Sequence, residues 1–398
     1  MFSVRKATKY RNAFEILELL LNHSVSRSEI SEITGLTRTT VGNVVKTFID
    51  LGFVEEKRGK RKNVPGAGRK PIPLEIIPSS LYAIGVGVLR HQAIGCLIDA
   101  KGKLLLYEMS PVFEKKNAEE VIKNITHVID NLLEKANKES LKVKTIGLGI
   151  PGPLDPIKGM VLKPPKFSNF ENIPLVQLLY DKYGIDVWIE NDADMAALGE
   201  KRYGGGRTIN NLIYIHISEG VGAGIIVDNH LYRGKIGYAG EVGHILLERN
   251  GNFVYFEDAY GMDVVIEKAK SEINGNISKL QDITERVKKG DKKAEELIKE
   301  IAKDFGLLIL SLVHTLGIPD VFIGGKYQLL GDIFIEEIRE IVKKYGIFGT
   351  KIKIQYSHLG DMAIPLGAAS HAVVMYLKKL IIMKEYKTSP KRIFSILY

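Results

Sequence analysis

One order of predicted elements, three strands followed by a helix, a strand and a helix, occurs twice in this chain, roughly over residues 81–205 and 211–378. A repeated pattern of this kind builds two α/β units, each of which buries its own apolar face. Duplicated lobes of this type bind a ligand in the cleft between them. The predicted fold class is therefore α/β, with two lobes around a cleft.

The positions of these elements follow from apolar alternation, helical periodicity and turn residues. In the first copy, strands are predicted at 81–88, 93–98, 104–107, 145–150 and 187–190, and helices at 117–138 and 193–203. In the second copy, strands are predicted at 212–217, 224–227, 320–323 and 351–355, with helices around 294–316, after Gly325, and from Pro365.

Basic residues are concentrated ahead of the first copy. Residues 1–75 carry 14 Lys or Arg and 8 Asp or Glu, which supplies most of the formal net charge of +9. Seven of these cations lie between Lys57 and Lys70, a stretch without any acidic residue. A basic module on a nearly balanced body is typical of a nucleic-acid binder, although a charge run alone would rather favour a solvated linker.

Three helices are predicted in the basic module. The first covers residues 12–22. Ser26 and Glu29 form a capping box for the second helix, in which Ile30 and Ile33 should face inward. The third helix, which Thr37 caps and Gly52 stops, has its apolar residues at i, i+3, i+4 and i+7. These residues are Val41, Val44, Val45 and Phe48.

Two short helices, a turn at Gly35 and a third helix with a polar outer face predict a helix-turn-helix. Residues 53–56 and 73–76 are predicted as two strands of a wing that carries the basic loop between them. The alternative is a plain three-helix bundle, which would not need that loop. The candidate DNA-binding residues are Arg38, Thr39, Thr40, Asn43 and Lys46 on the third helix and Lys60, Arg61, Lys62, Arg69 and Lys70 on the wing.

Four motifs lie at predicted strand ends and turns, namely GLGIPGPL from Gly147, ENDAD from Glu190, GVGAG from Gly220 and AGEVGH from Ala239. Taken singly, a strand-end carboxylate is as often only a helix cap, and a glycine run is weak evidence for a phosphate site. The Glu and His of the last motif can hydrogen-bond adjacent sugar hydroxyls, although a solvent-facing pair would have the same spacing.

In this order and spacing, the motifs together resemble the ROK family of repressors, open reading frames and sugar kinases, over about residues 81–378. The strongest match runs from Gly220 to His244. The resemblance implies a duplicated sugar kinase/actin-like (ribonuclease H-like) architecture. A winged helix-turn-helix ahead of such a body is similar to the transcriptional-regulator branch of the family.

The resemblance also implies a sugar site. Asn191 and Asp192 match the family's Asn-Asp pair, Glu241 and His244 match its Glu-x-Gly-His motif, and Glu257 matches a later sugar-binding Glu. In family kinases, the residue that matches Asp192 is the general base for the sugar hydroxyl that attacks ATP.

Two nucleotide-binding elements of the family kinases are altered in this chain. Where the kinases carry Asp, Gly, Gly and Thr in Gly-Ile-Asp-Ile-Gly-Gly-Thr-Lys, this chain has Gly87, Leu89, Arg90 and His91. Large side chains there occupy the space that a phosphate needs. Glu219 stands in place of the Thr of the second phosphate loop and would repel a phosphate. ATP binding is therefore predicted to be poor or absent.

Metal binding is also predicted to differ from the family pattern. Family members commonly carry, after the Gly-His motif, a cysteine-rich loop whose thiolates bind zinc together with the His. Cys96 is the single cysteine of this chain, which excludes that zinc site and an intramolecular disulfide. No metal and no other cofactor is expected, and ATP with magnesium would be needed only by a kinase.

These observations predict a sugar-responsive transcriptional repressor that binds operator DNA and a monosaccharide and acts as a homodimer or larger homo-oligomer. The alternative is an ATP-dependent kinase of a hexose or N-acetylhexosamine, with Asp192 as the catalytic base. A scaffold that does not bind DNA is the least favoured class.

No apolar run reaches the ~18 residues of a membrane span, and the N-terminus lacks the pattern of a signal peptide. The protein is therefore expected to be cytoplasmic, without a membrane partner. The predicted domains are 1–76 for the winged helix-turn-helix, 77–205 and 206–378 for the two lobes, and 379–398 for a basic tail.

Overall fold

The chain begins with a small head of three helices and a three-stranded sheet. The structure, a computed structural model, describes residues 4–57, 71–115, 117–164, 167–235, 237–249, 251–273, 275–347 and 351–385. The head comprises α1 (Val4–Asn22), β1 (Val25–Ser26), α2 (Arg27–Thr34), α3 (Arg38–Asp50), β2 (Val54–Glu56) and β3 (Pro73–Ile76). Its sheet has the order β1-β3-β2, with both pairs antiparallel.

The capping box at the start of α2 is present. The Ser26 hydroxyl accepts a hydrogen bond from the Glu29 backbone N–H at 3.3 Å, and the Glu29 carboxylate accepts one from the Ser26 N–H at 2.7 Å. Gly35 ends the helix in the left-handed conformation, with a φ of 69°. Ile30 is buried as predicted, but the prediction for Ile33 is wrong because its side chain is 62% exposed. α2 has only about two turns, and Ile33 lies beyond the face that contacts the rest of the head.

The wing strands β2 and β3 lie where the sequence placed them, and Thr37 caps α3 as predicted. The four apolar residues of α3 are all buried. The short strand β1, which pairs with β3, was not predicted. The wing loop with Lys60, Arg61, Lys62, Arg69 and Lys70 lies outside the described residues.

The body consists of two five-stranded sheets with the same topology. The first contains β4 (Tyr82–Val88), β5 (Ala93–Asp99), β6 (Leu104–Met109), β7 (Val143–Ile150) and β10 (Asp186–Asn191), with a ribbon of β8 (Leu154–Asp155) and β9 (Met160–Val161) and helices α4 (Ala118–Lys138), α5 (Leu175–Tyr183) and α6 (Asp192–Tyr203). Its order is β10-β7-β4-β5-β6, in which β4, β7 and β10 are parallel.

The second sheet contains β11 (Leu212–Ile217), β12 (Val221–Val227), β13 (His230–Leu231), β16 (Asp320–Gly325) and β17 (Lys353–Tyr356), with a ribbon of β14 (Leu246–Arg249) and β15 (Asn252–Tyr255). Its helices are α7 (Phe256–Tyr260), α8 (Met262–Glu272), α9 (Leu280–Lys288), α10 (Lys292–Leu316) and α11 (Asp332–Tyr345). The order β13-β12-β11-β16-β17 repeats that of the first sheet strand for strand. The duplicated α/β fold is therefore confirmed.

The last helix, α12 (Ala363–Glu385), returns to the first sheet. Gly85 of β4 and Gly147 of β7 make this close packing possible, because a Cβ on either would lie 2.0 Å from a carbonyl oxygen of α12. By length and composition α12 could cross a membrane, but 67% of its apolar window is buried. We define the head as residues 4–76, the first lobe as 77–205 with α12, and the second lobe as 206–356.

The predicted boundary at 378 therefore falls inside a helix, and the predicted tail from 379 is wrong for its first seven residues. Ile381 and Ile382 are buried in the core that α12 shares with the head. Lys379 extends this packing through an ion pair at 2.6 Å with Asp186 of β10. Residues 386–398 lie outside the described part of the chain.

Candidate functional site

A cleft of about 670 Å³ lies between the two lobes, at the ends of their central strands. The predicted sugar residues line it together, although they lie on separate elements of both lobes. They are Asn191, Asp192, Glu241, His244 and Glu257. A volume of this size suits a small ligand that is largely enclosed.

Asn191 and Asp192 reach the cleft because β10 ends there and α6 begins. The Asn191 side chain caps α6 by accepting a hydrogen bond from the Ala193 N–H at 2.9 Å, and Asp192 accepts from the same N–H at 2.9 Å. Burial raises the pKa of Asp192, as does the nearby Glu219, while His216 on β11 lowers it. A carboxylate held in this way can accept a hydrogen bond from a ligand hydroxyl.

The glycines of GVGAG serve packing in this part of the cleft. A Cβ on Gly224 of β12 would lie 2.5 Å from the Ala193 carbonyl oxygen, and one on Gly222 would lie 3.1 Å from the Ala193 Cβ. Both residues therefore allow the first turn of α6, with Asp192, to lie directly on β12. Close packing therefore explains Gly222 and Gly224, without any need for a bound phosphate.

Glu241 and His244 lie on the loop after β13. The loop is tied to β12 because the Ala223 N–H donates to the Gly240 carbonyl at 2.8 Å, and Gly240, with a φ of 88°, has no room for a Cβ. His244 Nδ1 lies 3.3 Å from a Glu241 oxygen, and both side chains remain about half exposed to the cleft. Burial raises the pKa of Glu241, and its neighbours Asp192 and Glu257 raise it further.

Glu257 lies on α7 and joins the site from the side. A Cβ on Gly220 would be 3.1 Å from a Glu257 carboxylate oxygen, and a Cβ on Gly243 would be 3.0 Å from the same oxygen. The two glycines therefore leave the space in which this carboxylate lies. Glu257 is thus next to the Glu-x-Gly-His motif in space.

At the nucleotide end of the cleft, the altered residues contact each other and the opposite lobe. His91 Nε2 lies 3.2 Å from Glu219, which joins the tip of the β4–β5 hairpin to the second lobe. Arg90 contacts Asp263 at the start of α8. A side chain at Gly87 would collide with Ile364 of α12, at 2.8 Å, so the Asp of the kinases has no room here. These contacts tie the tip of the β4–β5 hairpin to the second lobe at the end of the cleft where the resemblance places the nucleotide loops.

Two charged residues next to the site, Arg233 and Asp194, were not singled out in the sequence. Arg233, at the start of the loop that carries Glu241, donates two hydrogen bonds to Glu190 at 2.7 and 3.0 Å. Burial raises the pKa of Glu190, while Arg233 counteracts this effect. Asp194 lies close by, and burial together with the charge of Glu190 raises its pKa well above the ordinary value. The signal in the sequence was Glu190 itself, since a charge at the end of an apolar strand needs a partner.

Three Lys or Arg side chains are found among the described residues that line the cleft, and each of them contacts a carboxylate. Lys326 lies 2.8 Å from Asp361, Lys163 lies 2.9 Å from Glu171, and Arg90 contacts Asp263. In the described part of the chain, we find no group of three or more His, Cys, Asp or Glu side chains arranged to hold a metal ion.

The predicted DNA-reading face of α3 is open to solvent. Arg38, Thr39, Asn43 and Lys46 are exposed, whereas the Thr40 hydroxyl is half-buried and lies 2.9 Å from that of Thr37. Thr40 is therefore engaged in capping α3, which leaves the other four residues free to reach base edges or phosphates.

Comparison with known proteins gives the relationships of both parts of the chain. The model of the ROK family matches residues 82–373, and that of the IclR helix-turn-helix domain matches residues 11–58. The xylose repressor of Caldicellulosiruptor bescii is 29% identical over 402 residues, which cover 95% of this chain and 98% of the relative.

Two solved structures are similar. One is a ROK family transcriptional regulator, a homologue of the E. coli Mlc protein, with a TM-score of 0.79 and 21% identity over 95% of this chain and 99% of that one. The other is a ROK family glucokinase from Streptomyces griseus, in complex with glucose and AMPPNP. It has a TM-score of 0.62 and 25% identity over 73% of this chain and 99% of its own.

Proposed function

This chain belongs to the ROK family, and we propose that its effector is an uncharged monosaccharide, with the pentose D-xylose as the first candidate. It is a sugar-responsive transcriptional repressor, since a helix-turn-helix precedes the ROK body and relatives that match nearly its whole length are repressors. The observation that carries the proposal is the meeting of Asn191, Asp192, Glu241, His244 and Glu257 in one cleft.

The charge of the cleft supports an uncharged ligand. Asp192, Glu219, Glu241 and Glu257 line it, while the described cations that line it are already next to carboxylates. A phosphorylated sugar would bring a dianion into this acidic environment, where each cation among the described lining residues already contacts a carboxylate. Hydroxyl groups, in contrast, can donate hydrogen bonds to carboxylates.

We further propose that the protein needs no cofactor and has no kinase activity. Asp192 is in a position that favours a kinase, because it could accept the proton of a sugar hydroxyl. Phosphoryl transfer, however, depends on holding the nucleotide in line with that hydroxyl. Arg90, His91 and Glu219 occupy that end of the cleft. Asp192 is then a hydroxyl acceptor in a sensor.

In the same proposal, the protein acts in the cytoplasm as a homo-oligomer. Two heads would bind half-sites about 34 Å apart, or a multiple of that distance. Closure of the lobes around the sugar would change the spacing of the heads, and a small reorientation is enough to lose the match with the operator. The sugar should therefore release the DNA.

The proposal is tested by calorimetric titration of the full-length protein with D-xylose, D-glucose and N-acetyl-D-glucosamine, each with and without a phosphate group. One of the uncharged sugars should bind, and its phosphate should bind at least tenfold more weakly. Glu241→Ala and His244→Ala should each weaken binding by about 1–3 kcal/mol, because sugar hydroxyls lose their partners. Glu134→Ala, an exposed carboxylate on α4, is the matched control. Tighter binding of the phosphates, or unchanged affinity in both cleft variants, would contradict the proposal.

A further inference from the structure

One carboxylate of the head contacts both lobes. Glu18 of α1 accepts a hydrogen bond from Lys378 of α12 at 2.8 Å, and its other oxygen is paired with Nε2 of His230 on β13. Lys378 belongs to the first lobe and His230 to the second. Burial alone would raise the pKa of Glu18, but the contacts with His230 and Lys378 lower it to about 2. Glu18 is therefore ionised and held between the lobes.

The head is fixed to the first lobe by a shared apolar core. Ile16, Leu17 and Leu20 of α1 belong to one cluster with residues of β4, β5 and α12, and, among the residues that the structure describes, the second lobe contributes none to it. Lys101 of the first lobe adds an ion pair with Glu75 of β3 at 2.6 Å. The head should therefore move as one body with the first lobe. Through Glu18 it also contacts His230 of the second lobe.

His230 is held rigidly on the second lobe. The turn between β12 and β13 has two residues, Asp228 and Asn229, both with positive φ, which is the tight type I′ hairpin. The Asn211 side chain accepts a hydrogen bond from the Asp228 N–H at 2.7 Å and ties the turn to β11. His230 Nδ1 lies 2.7 Å from the Asp228 carbonyl. Both ring nitrogens face acceptors, and the hydrogen bond with Glu18 raises the pKa of His230, which favours the doubly protonated imidazolium.

The same hairpin leads to the sugar site. Ala223 of β12 binds the backbone of Gly240, which directly precedes Glu241. Four residues further along β12, Val227 pairs with His230. This distance is about 13 Å of extended strand, which does not bend easily. A shift of Glu241 on binding sugar would therefore displace His230 relative to Glu18.

We propose that the Glu18–His230 ion pair is the relay through which movement of the second lobe on sugar binding reaches the DNA-binding head. This inference rests on the proposed function, because it requires that a sugar in the cleft changes operator affinity. The apolar core keeps α1 on the first lobe while the second lobe moves. The two side chains are in direct hydrogen-bonded contact, so a displacement of a few Å breaks that contact and changes the orientation in which the head is held.

The test uses full-length protein, the uncharged sugars D-xylose, D-glucose and N-acetyl-D-glucosamine, and a DNA duplex selected by the wild-type protein from a randomised pool. The dissociation constant of the duplex is measured by fluorescence anisotropy with and without saturating sugar, and the ratio of the two is the coupling. Sugar affinity without DNA is measured by calorimetry. The relay variants are His230→Gln and Glu18→Gln. Lys378→Gln is the matched control because it removes the Glu18 contact from the first lobe, and His127→Gln replaces an exposed histidine of α4.

Allosteric coupling typically amounts to about 5–150-fold. His230→Gln and Glu18→Gln should reduce the coupling at least threefold, the double variant should lose no more than either single one, and sugar affinity in the absence of DNA should stay within twofold. Both controls should keep the coupling of the wild type. If the wild type responds to sugar and His230→Gln responds equally, the relay is wrong and the proposed function stands. A wild-type protein that responds to no uncharged sugar overturns both.

Discussion

Arg233 of the second lobe donates two hydrogen bonds to a single carboxylate oxygen of Glu190, which directly precedes Asn191 and Asp192 in the first lobe. The ion pair therefore joins the two lobes beside the candidate site. Glu190 is buried, with its side chain only 3% exposed. Asp192, Asp194 and Glu241 lie nearby, so the guanidinium compensates a cluster of negative charge that would otherwise repel itself.

Arg233→Met should lower the free energy of unfolding by about 2 kcal/mol, since it leaves a buried carboxylate without its cation. This is less than for a fully buried pair because the Arg233 side chain is 32% exposed. Sugar affinity should fall as well, because the loop with Glu241 loses its anchor. Adding Glu190→Gln to the variant should recover part of the stability in thermal unfolding. A double variant that is less stable than Arg233→Met would contradict this account.

Asp194→Asn should stabilise the protein at pH 7. Burial and the neighbouring Glu190 raise the pKa of Asp194 well above the value of 3.8 that it has when unfolded. Between these two pKa values the folded state binds a proton that the unfolded chain has lost, so the wild type loses stability as the pH rises. Asp194→Asn does not lose stability in this way as the pH rises. The melting temperatures of the wild type and the variant should therefore converge below about pH 4. Asp181→Asn, on the exposed side of α5, is the control for removing one carboxylate. If it stabilised the protein equally, the raised pKa of Asp194 would not be the cause.

The purified protein should not phosphorylate D-xylose, hexoses or N-acetylhexosamines with ATP and magnesium. By the resemblance to the family kinases, Leu89, Arg90 and Glu219 replace residues of the nucleotide loops, and in the structure His91 pairs with Glu219. A coupled assay should show no turnover above its background. Turnover near ~10 s⁻¹, an ordinary enzyme rate, that disappears in Asp192→Asn would mean that the protein is a kinase.

Two sets of variants should weaken DNA binding in different ways. One is Asn43→Ala, and the other replaces the wing residues Lys60, Arg61 and Lys62 by alanine. Removal of the Asn43 side chain from a base edge should cost about 1–3 kcal/mol on the selected sequence and little on random DNA. Removal of the wing cations should weaken both kinds of DNA and reduce the salt slope by about 0.9 for each phosphate that is no longer neutralised. Asn131→Ala on α4 is the control. An unaltered salt slope would remove the wing from the interface.

Local signals in the sequence were sufficient for most of the fold. Glycine and proline turns, the capping box at Ser26 and the period of α3 each depend on residues close in sequence. All five strands of the first sheet and four of the second were predicted, whereas β13 and the two short ribbons were not. The short helices α5, α7, α8 and α9 were not predicted, because each has 11 residues or fewer and helical periodicity is hard to recognise over so short a stretch.

The candidate site was predictable only in part. Asn191, Asp192, Glu241 and His244 stand in motifs, so that resemblance identifies them without the structure. Arg233 stands outside those motifs and becomes significant only when the chain brings it to Glu190, 43 residues away in sequence. The course of α12 was missed for a related reason, since a helix that is apolar on most sides does not specify which sheet it covers.

The central claim is that an uncharged sugar in the cleft controls the binding of DNA, without ATP. The most direct measurement is the dissociation constant of the selected duplex with the wild-type protein, at fixed salt, with and without D-xylose, D-glucose or N-acetyl-D-glucosamine. The effective sugar should raise the dissociation constant about tenfold or more, within the usual range of allosteric coupling. A dissociation constant that no uncharged sugar alters, or that changes only when ATP is present, would contradict it.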